Sequence, residues 1–389
     1  MSTVKRGLFD TEADELANRK VVDMSEKMYR LQPDEQQFRI MLNKIGSKVA
    51  TREIIEWLES EFRPRVLFLA ASAASNAANI DLTDGENLVR GGDVLRNTTS
   101  GEGLLVTAAD ANSANVTRSW GSAAAASIAT TDQLVVVGNT SAQGASSGDS
   151  TIVQKVRAFN YVQDQRDPLH MTDFETSIEL YGGREPGEEL FVKGVEHIRA
   201  VEGSLFFGPK DFTGTTGSSG GAVEFISTNI TNAGGAFTPA ELDTFLEGPY
   251  GYGSKNKVLF CAPRVGTTLS QMLRAQWQPP TVTDRKFGAK VDAIISGTYG
   301  YNIPVIVKRE WADFAKAASS DYGTWAFLID MDYARIRYMR DVGNTHVRRN
   351  IEEPSSTAVV HEYRTAFSLE FAQEKAHGLL KNVTSYSPT

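Results

Sequence analysis

The sequence predicts an α+β protein, with mostly antiparallel strands around one long helix and two shorter ones. Three observations carry this. Apolar residues recur at Phe191, Val195, Ile198, Val201 and Leu205, spaced by four, three, three and four. Thr238, Pro239 and Glu241 spell a capped helix start. Residues 351–372 alternate, with Tyr363, Phe367, Leu369 and Phe371 on one face and Glu362, Arg364, Ser368 and Glu370 on the other. At 389 residues the chain exceeds one ordinary core, so two or more lobes are expected.

In chain order, residues 1–35 are polar and charged, with a weak apolar pattern (Leu16, Val21, Met24, Met28, Leu31) that suits an arm needing a partner. Ile54, Ile55, Trp57, Leu58 and Phe62 stand among four glutamates and suit either a half-buried strand or a short amphipathic helix. Residues 63–155 turn rich in Ala, Ser, Asn, Thr and Gly. Short β-like runs at Gly103–Thr107, Val116–Trp120 and Gln133–Val137 are separated by turn signals such as Gly91-Gly92-Asp93 and Gly138-Asn139. A structureless loop of that length is anomalous inside a compact domain, which favours an extended β-hairpin with a small β lobe.

Pro186 fits the first turn of the long helix, with Glu188 and Glu189 near its positive end, and Gly208-Pro209 stops it. Roughly 20 helical residues span about 30 Å. Asp211–Gly221 reads as a Gly/Ser/Thr-rich surface loop. At the second helix, Phe237 and Leu242 are available as a hydrophobic staple across the cap. Strand Lys257–Cys261 leads to a third helix opened by Pro263 and carried by Val265, Leu269, Met272 and Gln276. Strands follow at Val291–Tyr299, Pro304–Lys308, Trp325–Ile329 and Ala334–Met339.

Sites of chemistry are not found in this pattern. The sequence lacks a phosphate-cradling GxxxxGK[ST], a Gly-x-Ser-x-Gly elbow and an HExxH pair. Gly248, Gly251 and Gly253 read as a plain turn, and Gly217–Gly220 lie in low-complexity loop. His170, His197, His346, His361 and His377 are scattered. Asp330 and Asp332 alternate at a strand end, where such a pair either touches a cation or simply terminates the strand. Cys261, the single cysteine, follows an apolar strand as a small hydrophobe and excludes an intrachain disulfide. Charged residues make up 23%, net charge is −8 and no long basic run occurs, which disfavours tight wrapping of nucleic acid. The longest apolar stretch, Val66–Ala74, is too short to span a bilayer, and the charged N-terminus is unlike a signal peptide. The expectation is a structural protein without enzymatic activity or cofactor.

Three stretches resemble one family. Thr51–Glu59 resembles a segment that opens its peripheral domain. Val106-Thr107, Val116–Gly121 and Asp132–Asn139 resemble a β module inserted in its extended loop. Ala158–Gln163, with its Asn160-Tyr161-x-Gln163 core, precedes the helix containing Val195–Glu202 as it does there. In this order they resemble the major capsid proteins of tailed bacteriophages with the Hong Kong 97-type fold, in a subfamily formerly catalogued as uncharacterised. The resemblance implies an N-terminal arm at 1–35, the start of a peripheral domain at 36–62, and the extended loop with its small β insertion at 63–155. It further implies a peripheral domain with a spine helix at 156–221, an axial domain at 222–335, and a return to the peripheral domain with a C-terminal tail at 336–389.

It implies self-assembly into an icosahedral shell through pentamers and hexamers, in the virion, after assembly in the host bacterial cytoplasm. Scaffold, portal and decoration proteins are possible partners. Packaged double-stranded DNA is touched weakly and non-specifically, and no membrane is involved. The alternatives are another virion structural protein, such as a decoration or fibre protein, or an unrecognised enzyme. Trp57, Arg63, Arg118, Trp120 and Arg166 are the candidates for subunit interfaces, with a plug of the small lobe as the other reading of Trp120. Some members weld their shells through a lysine on the extended loop. No lysine occurs here between Lys48 and Lys155, so no covalent weld through that loop is expected.

Overall fold

Aromatic residues distant in sequence meet at one point: the Phe206 ring lies 4.5 Å from Phe38, 5.4 Å from Phe260, 4.9 Å from Trp311 and 5.4 Å from Phe327. The computed structural model describes residues 37–83, 88–110, 112–146, 148, 150–177, 185–276, 293–295, 302–314 and 321–388. The described residues up to Trp57 and from Phe159 onward form one compact unit, and Leu58–Ala158 form a second.

The first unit contains two larger sheets. In the six-stranded one the order is Ile230–Phe237, Gly378–Tyr386, Ala326–Asp330, Lys257–Cys261, Asn302–Val307, Ala293–Ile295. Lys257–Cys261 and Ala326–Asp330 are buried at every position, so apart from Lys257 and Asp330 these strands read as apolar runs without alternation. Gly378–Tyr386, expected as part of a C-terminal tail, instead lies inside this sheet, parallel to Ile230–Phe237 and antiparallel to Ala326–Asp330. Of the predicted strand at Val291–Tyr299 only Ala293–Ile295 falls within the described residues.

Helix Pro239–Tyr250 begins as its sequence specifies. The Glu241 N–H donates to Thr238 Oγ1 (3.2 Å), and the Thr238 N–H donates to Glu241 Oε2 (2.8 Å). Phe237 and Leu242 both pack on the core.

The other sheet runs Lys48–Ala50, Ala334–Met339, Ala358–Phe371, Gln163–Thr172, with His346–Arg349 also paired to Ala358–Phe371. The alternation at 358–371 does not mark a wet face along its whole length, since Ala366–Phe371 are buried throughout. Ser368 Oγ donates to the Tyr161 carbonyl (2.7 Å), and Glu370 accepts from Arg337 Nε (2.6 Å) and Lys48 Nζ (3.1 Å). Polar partners, not water, cover that side.

The long helix spans Glu185–Phe207. Phe191 is exposed, and the buried stripe runs Gly194, His197, Val201, Leu205. Gly194 is required by close approach, because a Cβ there would lie 2.8 Å from Tyr363 Oη. The stripe expected from apolar spacing is therefore rotated toward a glycine and a histidine.

Asp211–Gly221 is exposed over 213–216, but it is a hairpin with a buried end and not a plain surface loop. Asp211–Thr213 pairs with Thr216–Ser218, and Ser219–Gly221 are buried. Asn160 explains the burial: its amide donates to the carbonyls of Gly220 (3.0 Å) and Leu369 (2.7 Å), and its Oδ1 accepts from the Gly220 N–H (2.8 Å). A buried polar side chain with this many partners fixes the backbone around it.

Residues 54–59, left open between strand and helix, form a strand with Ile55 and Trp57 inward. It pairs with Val156–Tyr161 as a two-stranded ribbon. The second unit holds a six-stranded sheet ordered Val66–Leu67, Leu134–Asn139, Asp93–Asn97, Gly103–Ala109, Ser113–Thr117, Asn79–Asp81. Its core is aliphatic: Leu67, Leu69, Ile80, Leu95, Leu104, Val106, Val116, Ile128 and Leu134.

Candidate assembly surfaces

The five residues expected at subunit interfaces divide by exposure. Trp57 is buried, 5.9 Å from the Phe225 ring. Arg118 is nearly buried and spends its donors within the second unit. Nε and Nη2 donate to the two oxygens of Glu102 (2.8 Å each), Nη1 to the Ala74 carbonyl (2.7 Å) and Nη2 to that of Ala126 (2.5 Å). Glu102 also accepts the N–H groups of Ser119 (3.0 Å) and Ala126 (3.0 Å). This one ion pair ties together four stretches of an Ala/Ser-rich chain that has few large side chains to pack. Burial pushes the Glu102 carboxyl up, but the Arg118 bonds and the Ala126 and Ser119 N–H groups outweigh it and hold it below the usual carboxylate range.

Arg63 donates to the Leu88 carbonyl and to Asp93. Trp120 is 48% exposed, so it does not plug the lobe. Arg166 is exposed and bonds Asp164 through Nε (2.9 Å) and Nη2 (2.6 Å), while Arg364 grips the same carboxylate from the neighbouring strand (2.9 and 3.0 Å). Gln163–Thr172 is a sheet edge, and its Asp164, Arg166, Asp167 and Pro168 are residues that discourage uncontrolled strand addition.

Apart from Trp120, exposed apolar side chains were not singled out in the sequence. In the second unit Leu67 and Leu134 pair inward, whereas Val66 pairs with Val135 on the opposite face. Val66, Phe68 and Val137 are 43%, 40% and 56% exposed, and Val94 and Leu105, paired across their strands, are half-buried. In the first unit an open groove of about 650 Å3 follows the edge strand Lys48–Ala50, lined by Val49, Ile54, Ile55, Arg337 and Met339 among others.

Behind these surfaces lie buried charges. Lys257 and Asp330 are register partners on adjacent strands, 2.9 Å apart and fully buried. Asp330 also accepts from Ser254 N (2.6 Å) and Ser254 Oγ (2.7 Å), and Lys257 Nζ donates to the carbonyls of Tyr252 and Ala376. The pair is thus an internal crosspiece, and Asp330 is not a strand-end cation ligand. Gly253, at φ +73°, makes room, since a Cβ there would lie 2.5 Å from Asp330 Oδ2. Lys308 is likewise buried with Glu202 (2.5 Å), whose Oε1 accepts the Phe38 N–H (3.1 Å) and so satisfies an orphan donor at the start of helix Gln37–Ile45.

Reactive chemistry has little access here. Burial pushes the Cys261 thiol up to about 12. His197 bridges Asp167 (2.5 Å) and Thr365 Oγ1 (2.7 Å), a hydroxyl–imidazole–carboxylate chain, but Thr365 is fully buried and cannot meet a substrate. Among the described residues no group of three His, Cys, Asp or Glu side chains is placed to hold a metal, and no helix is long and apolar enough to cross a membrane.

No curated protein matches the chain. Among solved structures it is similar to the capsid of an empty GTA particle (11% identity, TM-score 0.55, 97% of this chain and 100% of that one). It is similar also to the cyanophage A-1(L) capsid (12%, 0.51, 97% and 100%) and to that of Microbacterium phage Oxtober96 (10%, 0.50, 97% and 100%). At such identities the likeness speaks for the fold, which is the Hong Kong 97-type fold of tailed-phage capsids. The model of the SU10 major capsid protein family matches residues 7–384, and with nearly the whole chain inside that match, the chain belongs to the SU10 major capsid protein family.

Proposed function

We propose that this major capsid protein tiles an icosahedral shell around the double-stranded DNA genome of a tailed phage, as pentamers and hexamers of itself, assembled in the cytoplasm of a bacterial host. The observation that carries the reading is that one capsid family spans residues 7–384, so both compact units fall inside it. The role is structural, and buried ion pairs and an aromatic core suit a rigid tile.

In this reading Trp120 and Arg166 contact neighbouring subunits, while Trp57, Arg63 and Arg118 act through the shape they hold. Scaffold, portal and decoration proteins are further expected partners. DNA contact is weak, since a chain of net charge −8 has little to gain from phosphate neutralisation. The test is negative-stain microscopy of the expressed chain. Shells, tubes or capsomer rings are expected, and a stable monomer at high concentration would overturn the proposal.

A further inference from the structure

Side chains far apart in sequence join in one hydrogen-bonded relay inside the first unit. Arg39 Nη2 donates to Thr345 Oγ1 (2.5 Å), and Thr345 Oγ1 meets Thr365 Oγ1 (2.7 Å). Thr365 Oγ1 meets His197 Nε2 (2.7 Å), and His197 Nδ1 meets Asp167 Oδ2 (2.5 Å). Both ends are one-way, because a guanidinium only donates and a carboxylate only accepts. With the imidazole neutral, its proton sits on Nδ1 facing Asp167, and Nε2 accepts from the Thr365 hydroxyl. Thr365 then accepts from Thr345, and Thr345 from Arg39. The two end charges thereby assign every hydroxyl orientation between them. The relay ties the start of helix Gln37–Ile45 to the turn before strand His346–Arg349. From there it runs through Ala358–Phe371 to the long helix and to Gln163–Thr172.

We propose that this relay is an acid-sensitive joint, in which uptake of a proton by His197 reverses it and loosens the turn at Asn344–Thr345 from helix Gln37–Ile45. The imidazolium carries N–H on both sides, so Thr365 must accept from Nε2 and turn its own hydrogen toward Thr345. Thr345 Oγ1 then meets two donors, Thr365 and Arg39, and its own hydrogen loses its acceptor beside the fully buried Thr365. Arg39 is itself buried and held, since Nη2 also donates to Asn344 Oδ1 (2.6 Å). The proton has a route, because the His197 ring is buried but Asp167 is 36% exposed. The other titratable or charged groups around the ring are Tyr363, 5.9 Å away between centroids, and Lys193 and Glu196 of the same helix, bonded to each other. Burial lowers the pKa of His197, Asp167 opposes this and Arg39 adds to it. The joint therefore stays closed at neutral pH and opens below the ordinary histidine range. It does not depend on the shell-forming role.

The test is hydrogen exchange at the imidazole Cε1 of the full-length chain, read by mass spectrometry across pH, which gives the pKa of each histidine. His197 is expected to titrate below about 6.5, the value of a free histidine. Arg39→Gln supplies an amide oxygen that accepts the Thr345 hydrogen, so the relay can run either way, and His197 should titrate about half a unit higher. Arg39→Lys only donates and should leave the value low. His197 titrating at or above the free value, or no higher in Arg39→Gln than in Arg39→Lys, would overturn the proposal. Amide exchange in the same samples reads the turn. Corrected for intrinsic rate, residues 342–346 should exchange about fivefold faster below the His197 titration than above it. His197→Gln, which bonds on both sides but takes up no proton, should abolish that difference. His346 remains in this variant, so acid loosening that persisted would belong elsewhere and would sink the joint.

Discussion

The two compact units solve the same problem with different materials. The first packs Phe38, Phe206, Phe260, Trp311 and Phe327 into one cluster and runs fully buried strands through its sheet. The second has only aliphatic residues in its core and compensates with polar ties, chiefly Arg118–Glu102. Large aromatic surfaces stabilise by area removed from water, about 25 cal/mol per Å2. An Ala/Ser-rich lobe has less such area, so a larger share of its order rests on hydrogen bonds that are costly to break singly. Core truncations should therefore be felt most in the first unit, whereas loss of Arg118 should be felt mainly within the second.

The largest effect is expected for Phe206→Ala, which removes the ring packed among Phe38, Phe207, Phe260, Trp311 and Phe327 and should cost about 4 kcal/mol in urea unfolding of the unassembled subunit. A loss under about 1 kcal/mol would deny that this cluster is the first unit's centre. Arg118→Ala should cost about 3 kcal/mol by leaving Glu102 buried and unpaired. Its signature is local: faster proteolysis and hydrogen exchange in residues 58–158, with the first unit unchanged.

Acid separates the units a third way, because all five histidines lie outside residues 58–158. Burial lowers His377 to about 4, and its ring, stacked on Phe371, stays neutral in the fold while an unfolded histidine titrates near 6.5. The unfolded state therefore binds the extra proton, and stability falls as pH drops from 6.5 to 4, by on the order of 3 kcal/mol. Burial lowers His197 as well, which acts in the same direction. The second unit should hold through that window and weaken only at lower pH, where Glu102 and Asp93, whose bonds hold them below the usual range, become protonated. Hydrogen exchange at pH 7 and 5 checks this. Equal loosening of both units would contradict it.

At the small end, Asp164→Asn, in an exposed network, should change stability by about 0.5 kcal/mol. Particles boiled in denaturant should run as a single monomer band, since no lysine lies between Lys48 and Lys155. A ladder of crosslinked bands would refute the absence of a weld through that loop.

Much of the frame was legible in the residues. The cap at Thr238 is local and complete within four residues, and the long helix announced itself by length and spacing. What escaped was set by distant partners. The Lys308–Glu202 and Lys257–Asp330 pairs join residues far apart in sequence, and composition cannot show that each charge is buried by the other. The 211–221 stretch looked like loop because glycine and serine mark loops, and only Asn160, about 60 residues away, reveals why its end at Ser219–Gly221 is buried. Phe191 counted toward the helix stripe on hydrophobicity, whereas Gly194 was invisible to any scale that scores side chains. Of the interface candidates, arginine and tryptophan drew notice by type. Type alone could not tell Arg118, consumed inside its unit, from Arg166 at the surface.

On the proposed reading, the first unit holds its own aromatic core, and the exposed Val66, Phe68 and Val137 of the second unit meet neighbouring subunits in the shell. Hydrogen exchange compared between assembled particles and dissociated subunits tests it most directly. The amides of residues 66–68 and 134–137 should become strongly protected on assembly, while Lys257–Cys261 and Ala326–Asp330 are protected equally in both states. Unchanged exchange at 66–68 and 134–137 in intact particles would show that this surface does not meet neighbouring subunits.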